Sequence, residues 1–190
     1  PLINFGQDAS YQHVVRGTIA IFVSLFFAYL AFLTFEANPS NRKNRAISLI
    51  LLLEGYLLLS MFGISALPVS LASLGVARVL LSIAPIAMVG LTIAYLMFVS
   101  TTQTFLGKYS LNPAVKYGLP ILIAIYQTIF FLSWGYGIFP MFSGDGLMLG
   151  TDPLFMRLSA ALLLGFHVLI LGNLLYVFFI ERKEKKGRTE

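Results

Sequence analysis

The chain has no cysteine among its 190 residues, and two histidines are its only imidazoles. The lack of thiols excludes disulfide frameworks, thiolate metal centres and a cysteine nucleophile. Two imidazoles, His13 and His167, are too few for a multi-histidine copper, iron or zinc centre within the chain. The signatures GxxxxGK[ST], GxGxxG, HExxH and GxSxG are missing as well. The sequence therefore predicts a protein that is not an enzyme and holds no metal.

The chain also contains few charged residues. Charged residues make up 11% of the chain and hydrophobic residues 58%, whereas about a quarter of a soluble domain is charged. Apolar surface on this scale cannot all be hidden in one water-soluble core, so the lipid bilayer is the expected surroundings. Hydrophobic stretches fill most of the chain, and we expect residues 1–190 to form a single integral membrane domain.

Five runs contain no Asp, Glu, Lys or Arg: residues 17–35, 55–77, 79–107, 117–144 and 158–180. Each run is near or above the roughly 20 residues with which a helix crosses the hydrocarbon core. The sequence therefore predicts an all-α, polytopic bundle of five transmembrane helices. We place these helices at about 14–36, 46–67, 76–101, 114–136 and 154–180.

Basic residues predict the orientation. Ten of the thirteen Lys and Arg residues fall within 42–45, 108–116 and 182–188, and five crossings put these three regions on one side. The positive-inside rule assigns that side to the cytoplasm, with the amino terminus outside and the carboxy terminus inside. The same basic residues indicate contact with anionic inner-leaflet lipid rather than with nucleic acid.

One candidate site is a polar cluster inside the membrane. Glu54 on the second predicted helix and His167 on the fifth lie at a similar depth, and Tyr95 and Gln127 fall within about two turns of that level. A carboxylate in hydrocarbon costs roughly 2.5–3.5 kcal/mol on insertion scales, so Glu54 is expected to face inward. The pair could share one proton and fix helix packing, it could form a ligand or proton site, or the two side chains could fail to meet.

Two further groups are candidates. Ala161, Gly165 and Gly172 follow one stripe of the fifth predicted helix, where another helix of the bundle or of another subunit could approach closely. Arg78 and Arg157 are expected near the outer ends of two helices, close to Asp145 and Asp152. There they would either reach the headgroups or pair with these acids across the 137–153 loop.

No cofactor is predicted. His13 is expected at the outer end of the first helix and His167 some 20 Å into the fifth, so they cannot ligate one haem together. A single His167 ligand to a haem or a pigment shared with another subunit stays open as an alternative.

The order of features resembles the amino-terminal seven-helix membrane region of bacterial and archaeal histidine kinases. The resemblance rests on the turn 38–45, on Arg78 opening the third helix, on Gly107-Lys108 and on Leu119-Pro120, and it covers the first five helices of that region. The kinase itself has no counterpart in this sequence, so no ATP site or phosphoacceptor histidine is implied. The resemblance implies a ligand-sensing or protein-interaction membrane module without its own catalysis. We expect this sensor-like signalling module in a prokaryotic cytoplasmic membrane.

The leading functional hypothesis is a non-enzymatic membrane subunit or sensor-like module that acts through partner proteins, either other membrane subunits or further copies of itself. The alternatives are a small transporter or proton-conducting component and a redox or pigment-binding subunit of a membrane complex. The short connections between the helices and the missing catalytic signatures favour the first.

Overall fold

A computed structural model describes residues 9–61, 76–109, 112–126 and 153–186, and within these ranges the protein is all-α, without strands. We number its helices in chain order. They are α1 (Ala9–Ala37), α2 (Arg42–Met61), α3 (Val76–Thr101), the short α4 (Phe105–Tyr109), α5 (Ala114–Tyr126) and α6 (Pro153–Lys186).

Three helices are long and apolar enough to cross a membrane. The membrane-length segments are Gly17–Ala37 of α1, Ile83–Thr101 of α3 and Leu164–Lys183 of α6. Their outward faces carry large apolar side chains, with Phe22 68% exposed and Ile86 71% exposed. An apolar outer surface of this kind suits hydrocarbon rather than water. The described residues thus form a helical bundle with the character of a membrane protein.

Observed helix bounds differ from the predicted ones mainly at the ends. α3 coincides with the predicted span 76–101, whereas α1 begins at Ala9 and α6 continues to Lys186. The charged residues after 180 thus extend a helix beyond the apolar run that predicted it. α4 was not predicted, and of the fourth predicted helix, 114–136, the structure describes the part up to Tyr126.

Two asparagines fix where helices begin. The Asn41 side-chain oxygen accepts the Lys43 backbone N–H at 2.9 Å at the start of α2, and that of Asn112 accepts the Ala114 N–H at 2.9 Å at the start of α5. Each therefore caps a helix amino terminus. The first turn of α5, Ala114–Gly118, is π-helical. This irregularity precedes Pro120, whose ring clashes with the carbonyl four residues earlier in a regular helix.

Helix α2 packs antiparallel between α1 and α3. The Ser48 hydroxyl donates to the Ala31 carbonyl of α1 at 2.7 Å, and the Tyr56 hydroxyl donates to the Leu80 carbonyl of α3 at 2.5 Å. A Cβ on Gly55 would lie 3.0 Å from the Ser24 carbonyl oxygen and 3.2 Å from the Phe27 Cβ. The absence of a side chain at Gly55 therefore lets α1 and α2 approach closely.

The buried core lies between α2, α3 and α6. Its largest members include Ile50 and Leu57 of α2, Tyr95 and Phe98 of α3, and Phe166 of α6. The Tyr95 and Phe166 rings meet edge to face, with their centroids 6.2 Å apart. This core holds the three helices that supply the candidate site.

One end of the bundle gathers three helix termini. A cavity there is lined by Lys43 from the start of α2, by Thr101 to Gln103 from the end of α3, and by Val177, Ile180 and Glu181 of α6. α3 and α6 therefore run toward this end and α2 runs away from it. We call it the basic end, because Lys43, Lys108 and Lys116 all lie there.

Candidate functional site

Glu54 and His167 meet in the interior of the bundle. The His167 Nδ1 contacts the Glu54 Oε2, joining α2 to α6. The Glu54 side chain is 2% exposed and that of His167 is 19% exposed. About 17 Å of helix separates Glu54 from Lys43 at the basic end. The pair is therefore well inside the apolar part of the bundle.

The contact between Glu54 and His167 is not a fully satisfied ion pair, because the second carboxyl oxygen of Glu54 lacks a partner among the described residues. Among the described residues, Oε1 is buried and has no hydrogen-bond partner, and the contact of the His167 Nδ1 with Oε2 is close but not aligned as a hydrogen bond. A buried carboxylate needs both oxygens satisfied to offset its lost hydration. A carboxyl group in contact with an imidazole can hold, release or relay a proton, and this contact also links two helices.

A second polar contact lies about 9 Å further along α6. The Asn173 amide nitrogen donates to the Tyr95 hydroxyl oxygen at 2.8 Å and to the Leu169 carbonyl at 2.7 Å. Its amide oxygen accepts the Leu106 backbone N–H at 3.2 Å. Asn173 is 2% exposed. One buried amide therefore joins α3, α4 and α6.

A third polar contact of α6 lies at the basic end. The Lys43 Nζ contacts the Glu181 Oε1, again joining α2 to α6. The side chains of Lys43 and Glu181 are 23% and 45% exposed. Water therefore screens this pair far more than it screens Glu54 and His167. Both pairs connect the same two helices, some 17–21 Å apart along their axes.

The predicted polar cluster is thus divided. The structure brings Glu54 and His167 together, but it places the Tyr95 hydroxyl against Asn173 instead. Gln127 lies outside the described residues. Sequence reasoning missed Asn173, although an amide inside the charge-free run 158–180 is the same kind of signal as a lone carboxylate.

The predicted packing stripe on α6 is not at a helix contact within the described part of the chain. Ala161, Gly165 and Gly172 are exposed there, and a Cβ on either glycine would meet no described atom within 4 Å. The buried face of α6 instead carries Phe166, Ile170, Asn173 and Val177. Within the described ranges, large side chains fill the buried face of α6, and close packing on the small-residue stripe stays a prediction.

The predicted outer-face pairs lie beyond what the structure describes. Arg78 and Arg157 belong to the first turns of α3 and α6, while Asp145 and Asp152 lie outside the described residues. These pairings stay predictions. His13 lies on α1, and no group of three or more His, Asp or Glu within the described ranges could hold a metal ion.

A groove of about 740 Å³ runs between α1, α2 and α3. Its walls are almost wholly apolar. Its two polar side groups, Ser24 and Tyr56, donate their hydroxyl protons to the carbonyls of Ala20 and Leu80. The groove therefore offers no chemistry, and Glu54 with His167 is the stronger candidate site.

In comparisons with known protein families, with curated proteins and with solved structures, nothing matches the chain. The resemblance to the membrane region of histidine kinases therefore stays a prediction. Function has to be argued from the contacts that the bundle itself makes.

Proposed function

We propose that the protein is a non-enzymatic membrane module in which α6 couples a polar site in the bundle interior to partner proteins at the basic end. The observation that carries this proposal is the series of contacts along α6. His167 meets Glu54, Asn173 meets Tyr95, and Glu181 meets Lys43. A single continuous helix, Pro153–Lys186, contains all three.

The proposed topology has five crossings, with the basic end in the cytoplasm and the amino terminus outside. α1 and α2 are antiparallel neighbours, and α3 and α6 end where α2 begins. Such an arrangement agrees with one cytoplasmic side for Lys43, Lys116 and Arg182. The positive-inside rule supplies the direction.

The proposed sensing mechanism rests on the difference in solvent exposure between the Glu54–His167 pair and the Lys43–Glu181 pair. Adding or removing a proton at Glu54 and His167 changes a contact that water barely screens. α6 would respond by a small shift against α2, of about 1–2 Å as helix shifts commonly are. The less buried contact between Lys43 and Glu181 would re-form at low cost. The helical segment after Ile180 would then present a changed surface to a partner.

Distance measurement between spin labels tests the coupling. The chain has no cysteine, so Arg42→Cys and Arg182→Cys place one label on each of two exposed positions of α2 and α6. We expect Glu54→Gln to shift the distance by about 1–2 Å. Glu36→Gln, a carboxylate-to-amide change at an exposed position near the end of α1, should leave the distance unchanged. Equal distances in all three proteins would contradict the mechanism.

Purification in mild detergent tests the dependence on partners. We expect the tagged protein to elute with a stoichiometric second subunit or as an oligomer of the 21.0 kDa chain. Glu181→Gln should weaken that association more than Lys183→Gln does, since Glu181 belongs to the proposed output contact. A stable monomer without a second subunit, in detergent and in nanodiscs alike, would contradict the proposal.

A proton-conducting component is the second candidate, and it is favoured by the Glu54 Oε1, which has no hydrogen-bond partner within the described ranges. A carboxyl group and an imidazole in contact can pass a proton between them. Proteoliposomes with a pH-sensitive dye inside measure this directly. Proton flux above that of empty vesicles, abolished by Glu54→Gln and retained by Glu36→Gln, would establish it. Flux equal to that of empty vesicles would exclude it.

A further inference from the structure

A polar cavity at the basic end takes no part in the contacts along α6. It has a volume of about 340 Å³ and is lined by Thr102, Gln103, Gly107, Lys108 and Lys116. Among the described residues, no Asp or Glu lines it. Two lysine side chains therefore line one cavity at the basic end.

The backbone around this cavity is held in place at both sides. The Thr104 hydroxyl oxygen accepts the Gly107 N–H at 3.1 Å, and the Thr104 carbonyl accepts the Lys108 N–H at 2.9 Å. Thr104 is fully buried, so it caps α4 firmly. On the other side, Asn112 caps the helix that carries Lys116. The positions of the two lysine backbones are thus fixed before any ligand arrives.

Gly107 leaves room that another residue would fill. A Cβ at this position would lie 3.3 Å from the Thr104 hydroxyl oxygen, 3.4 Å from the Lys116 Cε and 3.5 Å from the Lys116 Nζ. The Lys116 ammonium also lies 5.1 Å from the centroid of the Tyr117 ring. Its side chain is partly buried, and the absent Cβ keeps its head group beside the cavity.

We propose that this cavity binds a phosphate group. Two lysine ammonium groups supply positive charge, and the Gln103 amide can add a neutral donor. The Thr102 hydroxyl already donates its proton to the Phe98 carbonyl at 2.5 Å, so it is not a donor for the anion. Glu181, at the neighbouring cavity, is paired with Lys43 and does not oppose the anion. Basic pockets between membrane helices bind phosphate-bearing lipid head groups in this way.

Native mass spectrometry of the full-length, delipidated protein in detergent tests the site. The probes are phosphatidic acid and diacylglycerol with identical acyl chains, which differ only by the phosphate. We expect clear binding of phosphatidic acid over diacylglycerol. Lys116→Gln should weaken it about tenfold, as loss of one charge-assisted contact does. Gly107→Ala should weaken it too, because the new Cβ fills space beside the Lys116 ammonium and lies 3.3 Å from the Thr104 hydroxyl oxygen that holds this turn.

Two matched variants separate a built site from general attraction of an anion to a basic surface. Lys183→Gln removes the same charge from an exposed position on α6, and Gly118→Ala adds a Cβ where no described atom lies within 4 Å. Both should bind within about twofold of the wild type. Circular dichroism checks that every variant is folded, and Lys116→Gln alone decides the matter if Gly107→Ala is not.

Competition identifies the source of the phosphate. Inorganic phosphate in excess, compared with chloride at equal ionic strength, should displace the lipid if the cavity accepts free phosphate. Retention of the lipid assigns the site to a lipid head group, whose acyl chains add affinity. The proposal is wrong if the wild type does not prefer phosphatidic acid. It is equally wrong if Lys183→Gln weakens binding as much as Lys116→Gln.

Discussion

A double-mutant cycle between Glu54 and His167 is the most direct measure of what the interior contact contributes. Glu54→Leu removes the carboxyl group, His167→Leu removes the imidazole, and the double variant removes both. Glu54 is 2% exposed and His167 is 19% exposed. Each single variant therefore leaves a polar group in an apolar interior without its partner, whereas the double variant leaves none.

The expected coupling free energy follows from the surroundings of the pair. Hydrogen bonds between membrane helices average about 0.6 kcal/mol in such cycles and reach about 1.7 kcal/mol. The Glu54 contact joins two ionisable side chains and is largely buried, so we expect a coupling free energy of about 1.5 kcal/mol. Each single variant should cost about 1–3 kcal/mol. Glu54→Gln should cost less than Glu54→Leu, because its amide can still hydrogen-bond the imidazole.

Unfolding by titration with SDS, followed by circular dichroism, supplies the four free energies. The matched cycle uses Lys43→Gln and Glu181→Gln, a pair that joins the same two helices with side chains 23% and 45% exposed. That pair should couple by no more than about 0.5 kcal/mol. A coupling between Glu54 and His167 that does not exceed this control would refute the reasoning, because burial would then add nothing.

Three further predictions concern other contacts. Gly55→Ala should destabilise the bundle by about 1–3 kcal/mol, since its Cβ would lie 3.0 Å from the Ser24 carbonyl oxygen. Gly165→Ala is the control, and the same SDS titration should show no comparable loss of stability for it. Asn173→Leu should cost about 1–3 kcal/mol through the lost bonds to Tyr95 and Leu106, and a loss below that of the exposed Leu175→Ala would contradict the role of this amide. Single cysteines at Asn41, Asn112 and Arg182 should all react with a membrane-impermeant maleimide from the cytoplasmic side, and labelling of one of them from outside would exclude the five-crossing topology.

Helices were predictable from the sequence because an apolar run long enough to cross hydrocarbon has little choice of structure. The bounds of α3 coincide with the predicted 76–101 for this reason. The continuation of α6 to Lys186 was not predictable in the same way. Hydropathy marks where the apolar run ends, whereas the helix continues past that point into a charged segment.

The candidate site was predictable in depth but not in rotation. Counting residues along two helices placed Glu54 and His167 at one height, and the structure brings them together. Tyr95 was expected at that level as well, yet its hydroxyl faces Asn173. Depth follows from a rise of 1.5 Å per residue, whereas the direction of a side chain depends on how each helix is turned about its axis. That rotation is set by packing of Phe166 and its neighbours, which the sequence pattern does not specify.

In this bundle the few polar contacts determine the register of α6 against the other helices. Lipid is as apolar as the core, so apolar side chains such as Phe166 and Ile170 gain little by facing α2 and α3 rather than the bilayer. Packing can therefore hold α6 against the bundle without selecting one register. The contacts of His167, Asn173 and Glu181 select it, since a slide along the axis would separate all three from their partners at once. A change in protonation at the most buried of them alters the free energy of that register directly, which is why we place the input of the proposed module at Glu54 and His167 and its output at the end of α6.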